Sequence, residues 1–98
     1  MDIEASYRAA LNLTQKMLTA ATALDWAALA PLEVQRAALL ASTPPLSTLK
    51  LTPAQTSSLA QFISEMERDN AEILDIAQVA QEHVKILLHL DQGQAAIA

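Results

Sequence analysis

Apolar and small side chains recur from Ile3 onward at alternating steps of four and three residues. This spacing places them on one face of an amphipathic helix that ends near Leu24. Leu11 and Leu18 form a second apolar row, which makes the face wider than a two-stranded coiled coil needs. The pattern therefore predicts a first helix that contacts two neighbours. The positions of the first row are Ile3, Tyr7, Ala10, Thr14, Met17, Ala21 and Leu24.

A second helix is predicted directly after Asp25, because its carboxylate can accept hydrogen bonds from the free amides of a first helical turn. Pro31 has no amide hydrogen and its ring collides with the preceding turn, so we expect it either to kink this helix or to restart it. The residues 42–45, Ser-Thr-Pro-Pro, end the helix, and a loop follows to Leu51.

The third helix has the best-marked start in the sequence. Thr52, Pro53 and Gln55 combine an N-cap threonine, a proline at the first helical position and a glutamine at the third, which is a capping box. The four-three alternation then continues without a break, and Gly93 is a residue typical of the position just past a helix end. The apolar row of this helix, interrupted by one asparagine, is Leu59, Ile63, Met66, Asn70, Ile73, Ala77, Ala80, Val84 and Leu87.

These patterns predict an all-α fold, an up-down-up bundle of three main helices with a long third helix, in a single domain over residues 1–98. At about 1.5 Å per residue the third helix is roughly 55 to 60 Å long, against about 33 Å and 25 Å for the others. Its far end should extend past its partners and leave Val84, Leu87, Leu88 and Leu90 in need of cover. We expect Trp26 to be mostly buried where the three helices meet.

Composition supports this fold and excludes several functions. Hydrophobic residues make up 52% of the 98 residues, aromatic residues only 3%, and there is one glycine, a balance that favours helices over sheets. Six basic and eleven acidic residues give a net charge of −5, which repels phosphate backbones and anionic lipids. We therefore expect no direct nucleic-acid binding. The acidic N-terminus and the absence of an apolar run of about 20 residues predict a cytoplasmic protein without membrane insertion.

The sequence offers no catalytic or metal-binding pattern. It has no cysteine, no glycine-rich phosphate loop and no serine elbow. His83 and His89 are six residues apart, which puts them on different helix faces and not at a metal-binding spacing. We expect no enzyme, no metal and no cofactor. The competing enzyme class is a small helical mutase, whose dianionic substrate would need several converging cations, and the arginines are only Arg8, Arg36 and Arg68.

Three polar residues have ordinary structural explanations. Asn70 lies in the apolar row of the third helix, where a polar side chain commonly sets helix register. Glu33 and Arg36 are three residues apart on the second helix, so they can pair with each other in water.

Several of these features together resemble the FliT family of flagellar export chaperones. They are Asp25-Trp26 followed by Leu29, Glu33 and Arg36, the proline-containing loop, and a long third helix carrying Asp69-Asn70 and Ile73-Leu74. The likeness covers most of the chain. It implies a bacterial cytoplasmic protein that holds the filament-cap protein before type III export. In some members it also implies contacts with the export ATPase complex and with the flagellar transcriptional regulator.

The resemblance suggests a groove for the C-terminal segment of the cap protein, because an amphipathic tail would self-associate unless a helical groove covered its apolar face. Small alanines would let the client helix approach closely. The expected partner-binding residues are Leu29, Leu40, Ile73, Ile76, Ala77, Ala80, Val84, Leu87 and Leu88. The alternative is a structural homodimeric helical adaptor without a secretion client, in which the overhanging apolar stripe pairs with a second copy.

The sequence differs from the family pattern at its end. Family members continue into a fourth helix that packs back and restrains partner access, whereas this sequence stops at Ala98. Either this homologue lacks that restraint or the sequence is truncated.

Overall fold

The computed structural model describes residues 2–97, with side chains for residues 2–89. Its elements are α1 (Ile3–Thr22), α2 (Trp26–Ala41), a short 3-10 turn (Leu46–Thr48) and α3 (Pro53–Ile97), so the all-α prediction is confirmed. The molecule measures 68 × 22 × 21 Å. A 45-residue helix such as α3 is about 67 Å long, so α3 alone spans the long axis.

The junction between α1 and α2 is held by backbone hydrogen bonds around Leu24. The Leu24 amide donates to the Ala21 carbonyl (2.9 Å) and the Asp25 amide donates to the Ala20 carbonyl (2.8 Å), the two bonds of a Schellman motif. Leu24 has a φ of 56°, a left-handed conformation that glycine usually fills at this position. The Asp25 carboxylate then accepts from the Ala28 amide at 3.1 Å, which confirms Asp25 as the N-cap of α2.

Pro31 lies inside α2, which continues through it from Trp26 to Ala41. Of the two alternatives expected for Pro31, a kink or a restart of the helix, the restart is therefore wrong. The proline leaves one carbonyl of the first turn without its helical donor. Leu29 and Leu32, on either side of Pro31, pack against the α1 core, and this packing holds both parts of α2 in one helix.

The capping box at the start of α3 is confirmed. The Gln55 amide donates to the Thr52 hydroxyl oxygen at 3.1 Å, and the Thr52 amide donates to the Gln55 side-chain oxygen at 2.9 Å. The expected end of the helix is wrong, because α3 continues through Gly93 to Ile97. A glycine inside a helix costs about 1 kcal/mol relative to alanine, which lowers stability without ending the helix.

Two apolar clusters form most of the core, one near the middle of α1 and one near its C-terminal end. The first joins Ala10 and Leu11 of α1 to Leu39 of α2 and to Met66 of α3. The second contains Met17, Ala21, Leu29, Leu32 and Ile73. From the first cluster to the second, the residue numbers increase on α1 and on α3 and decrease on α2. This is the order of contacts that an up-down-up arrangement requires.

Trp26 does not occupy the core. Its side chain is 38% exposed, so the expectation that it would be mostly buried at the meeting point of the three helices is wrong. As the first residue of α2, Trp26 follows a tight turn that directs it toward α3, where it borders open space beside Ala77. Trp26→Ala should therefore cost less than the roughly 3 to 5 kcal/mol typical of a fully buried tryptophan.

Replacing the N-cap of α3 tests the boundary directly. Thr52→Ala should lower the free energy of unfolding by about 1 kcal/mol, because the Gln55 amide loses its acceptor. Urea denaturation followed by circular dichroism measures the change. Ser64→Ala, at an exposed position inside the same helix, is the matched control and should cause no comparable loss. Equal effects of the two substitutions would contradict the capping role.

Candidate functional site

A long groove runs between α2 and α3. Both helices pack against α1, but across the described residues no α-carbon of α2 lies within 8 Å of an α-carbon of α3. Side chains of α1 such as Tyr7 and Met17 form the floor. A space bounded in this way by three helices is open to solvent along one side and is not an enclosed core.

The groove has three consecutive sections that share lining residues. The loop-side section, of about 430 Å³, and the middle section, of about 440 Å³, share Arg36 and Asn70. The middle section and the far section, of about 650 Å³, share Trp26 and Ala77. Because each section borders the next, the three together form one continuous surface that an extended ligand or a helix could occupy.

Arg36 crosses the groove at the boundary between the loop-side and middle sections. Its Nη1 donates to the Thr14 hydroxyl at 3.0 Å and to the Asn70 side-chain oxygen at 2.6 Å. Thr14 is fully buried in α1 and donates its own hydroxyl to the Ala10 carbonyl at 2.9 Å. One guanidinium thus connects all three helices. The ion pair that the sequence suggested between Glu33 and Arg36 is not formed, since Arg36 is directed across the groove.

The structure brings most of the expected partner-binding residues to this groove. Leu40 borders the loop-side section, Leu29 and Ile73 the middle section, and Ala80 and Val84 the far section, while Ala77 borders two sections. Ile73 also belongs to the core and is only 8% exposed. The groove is therefore lined largely by aliphatic side chains and small alanines.

Ile76, Leu87 and Leu88 lie elsewhere. Ile76 packs against the second core cluster. Leu87 and Leu88 are 57% and 56% exposed on the overhang, which we define as residues 84–89 of α3. Leu90, which was also expected on the overhang, lies outside the residues whose side chains are described.

Sequence reasoning missed several groove residues. Trp26 was expected in the core. Arg36 was expected to form a surface ion pair with Glu33, and Asn70 was expected to set the helix register. Leu74 is 68% exposed and borders the middle section. The signal that could have found it is its spacing, four residues after Asn70 and three before Ala77, which puts the three on one face of the helix.

The groove and the rest of the described chain were compared with the requirements of a metal site and of a membrane crossing. No group of three or more potential metal ligands occurs among the residues described. None of the described helices combines the length and apolar character that a membrane crossing requires. The ion pair found in the described part of the chain joins Arg68 to Asp69 at 3.8 Å, and neither residue lines the groove.

Comparison with known families and proteins adds an independent finding. The family model described as flagellar protein FliT matches residues 4–97 of this chain. The match therefore includes all three helices and the whole groove. Neither the curated proteins nor the solved structures give a significant match.

The hydrogen bonds of Arg36 should be measurable as a coupling. A double-mutant cycle with Arg36→Met and Asn70→Ala should give a coupling free energy of about 1 to 2 kcal/mol, because a charged donor makes the stronger kind of hydrogen bond. Urea denaturation of the four proteins supplies the values. The same cycle with Arg68→Met, at an exposed arginine, is the control. A coupling no larger than that of the control would mean that the bond contributes nothing.

The overhang can be tested by adding charge. Leu87→Glu combined with Leu88→Glu should weaken self-association or partner binding, while the helical signal and the thermal midpoint stay nearly unchanged, since exposed positions contribute little to folding. Sedimentation and thermal circular dichroism give the two readouts. If the double variant unfolds, these leucines belong to the folded core and the overhang is not a free surface.

Proposed function

Since this chain belongs to the FliT family, we propose that it is a cytoplasmic flagellar export chaperone that binds an amphipathic C-terminal segment of the filament-cap protein before type III secretion. Membership of the family supports the export-chaperone role. The proposal adds the identity of the client, the segment of it that is bound and the cytoplasmic location. A chaperone of this kind acts by binding and release, which agrees with an apolar groove that carries no catalytic group.

The open groove between α2 and α3 is the observation that carries the proposal. A bound helix could pack on α2, on α3 and on the α1 floor at once, which is the arrangement of a fourth helix in a bundle. Ala77 and Ala80 have small side chains that let the backbone of a client helix approach closely. Trp26 and Leu29 supply larger apolar surface opposite them. Recognition of an amphipathic helix by such a groove depends on apolar residues spaced three and four apart.

An exposed amphipathic segment makes a subunit prone to aggregate before it is exported. Its apolar face would associate with other copies or with unrelated proteins if it stayed in water. Occupying the groove would bury that face and leave the polar face exposed. Because the groove is open along its length, the client could leave without unfolding of the bundle, as a transported subunit must.

A structural homodimer is the second candidate, and one observation favours it. Val79 and Ile86 are exposed large apolar residues seven positions apart on α3, in addition to Val84, Leu87 and Leu88. Residues seven apart lie on nearly the same helix face, as in a coiled-coil seam. Molar mass measured over a range of concentrations, with and without the cap-protein peptide, separates the two: a dimer that the peptide neither binds nor changes would favour the adaptor.

A charge in the groove provides the direct test of client binding. Ala80→Glu should weaken binding of a synthetic peptide of the cap protein's C-terminal segment by roughly tenfold or more, because a carboxylate would lose its water where the client packs. Titration followed by the fluorescence of Trp26, which lines the groove and is the single tryptophan, measures the affinity.

The matched control is Ala71→Glu, the same substitution at an exposed position of the same helix outside the groove lining. It should bind the peptide as the unchanged protein does. Equal weakening by both substitutions would indicate a general charge effect. No effect of either would place the client elsewhere.

A further inference from the structure

Arg36 has donors that its own fold does not use. A guanidinium carries five N–H groups. The two hydrogen bonds found, to Thr14 and Asn70, both come from Nη1. Among the described residues no buried side-chain nitrogen or oxygen lacks a partner. Nε and Nη2 of Arg36 make no hydrogen bond there, so they must be accessible to solvent. Arg36 lines both the loop-side and the middle sections, and the accessible space beside it is the groove.

The charge of Arg36 is also uncompensated at short range. Glu33 lines the middle section and Glu67 the loop-side section, but within the described residues neither forms an ion pair with Arg36 at 4.0 Å or less. Half-buried arginines are commonly paired with a carboxylate. Arg36 instead uses two neutral oxygens, which fix the guanidinium in place and leave its positive charge available.

We infer that Arg36 is the polar anchor of the groove and binds a side-chain carboxylate of the client helix, with apolar client residues packed on either side. The inference rests on the proposed function. Nε and the adjacent Nη2 of an arginine form the two-pronged donor that matches the two oxygens of a carboxylate. Because Thr14 and Asn70 already hold Nη1, less side-chain freedom is lost when the client binds.

The acidic residues of the groove add a reason for a single register. Glu33 and Glu67 lie on the two sides of the Arg36 position, so a client carboxylate shifted toward either one would meet a like charge. The other cation of the groove, Lys85, is in the far section. An acidic client residue is therefore favoured beside Arg36, which fixes how the apolar client residues are distributed between the middle and loop-side sections.

Peptide variants test the inference separately from the proposed function. The probe is the synthetic C-terminal segment of the cap protein, with a set in which each Asp or Glu is replaced singly by Asn or Gln, and one version amidated at its C-terminus. One amide substitution should weaken binding to the unchanged protein by roughly tenfold or more, the effect of losing a charged hydrogen bond.

Two variants of the protein show whether Arg36 causes that loss. Arg36→Gln removes the charge, and Asn70→Asp places a carboxylate next to Nη1 that compensates the guanidinium inside the chain. In both, the critical amide substitution should change affinity by less than about twofold. Asn70→Asp should keep the thermal midpoint of the unchanged protein, which excludes unfolding as the cause. Lys85→Gln is the matched charge control and should still show the full tenfold discrimination.

The remaining outcomes are decisive. If the unmodified peptide does not bind, the proposed function fails, and the inference fails with it. If the peptide binds but no amide substitution matters, the groove is purely apolar and the inference alone is overturned. If only amidation of the peptide's C-terminus weakens binding, the carboxylate is the chain terminus and the side-chain inference is wrong. Equal discrimination by Arg36→Gln and the unchanged protein would also overturn it.

Discussion

The Arg36 guanidinium holds three helices together at one level of the bundle, and the geometry of the groove depends on this contact. Thr14 of α1 and Asn70 of α3 accept hydrogen bonds from the same nitrogen. An aliphatic side chain at this position could pack against α1 but could not link α2 to α3 across an open space. The long, polar-tipped side chain does so while the helix backbones stay apart. Burying a polar group among apolar side chains is normally unfavourable. Here the Arg36 side chain links α2 to α3 while keeping the two helices apart.

The lengths and ends of the helices determine which residues line the groove around Arg36. The Schellman motif at Leu24 and the cap at Asp25 reverse the chain within three residues, so Trp26 begins α2 at the edge of the groove. The capping box at Thr52 fixes the start of α3. Since α3 is more than twice as long as α1, its later residues pass beyond the shorter helices, and the groove continues as an exposed apolar overhang.

The parts of this structure that follow local rules could be predicted from the sequence. Asp25 and Thr52 each accept a hydrogen bond from an amide three residues away, so their roles can be recognised from the neighbouring sequence. The four-three alternation likewise indicated that Ile73, Ala77, Ala80 and Val84 share one side of α3. Pro31 and Gly93 misled because a proline costs about 3 kcal/mol and a glycine about 1 kcal/mol inside a helix, and neither cost by itself ends the helix.

The centre of the groove could not be predicted, because its partners are distant in the chain. The bond from Arg36 to Asn70 joins residues 34 positions apart, and the bond to Thr14 joins residues 22 positions apart. Helical periodicity says which face a residue occupies but not which side chain it meets on another helix. For the same reason Trp26 was assigned to the core. Its large apolar ring fits a core and a binding surface equally well, and only the position of α3 distinguishes them.

NMR chemical-shift mapping can locate a bound client on the protein and so shows whether it occupies the groove between α2 and α3. The ¹⁵N-labelled protein is titrated with the C-terminal segment of the cap protein, and amide, Arg36 Nε and Trp26 indole signals are followed. We expect the largest changes at Trp26, Arg36 and residues 70–84 of α3, with little change at Val34, which is exposed on α2. Saturable changes centred on Val34, with unshifted Trp26 and Arg36 side-chain signals, would contradict it.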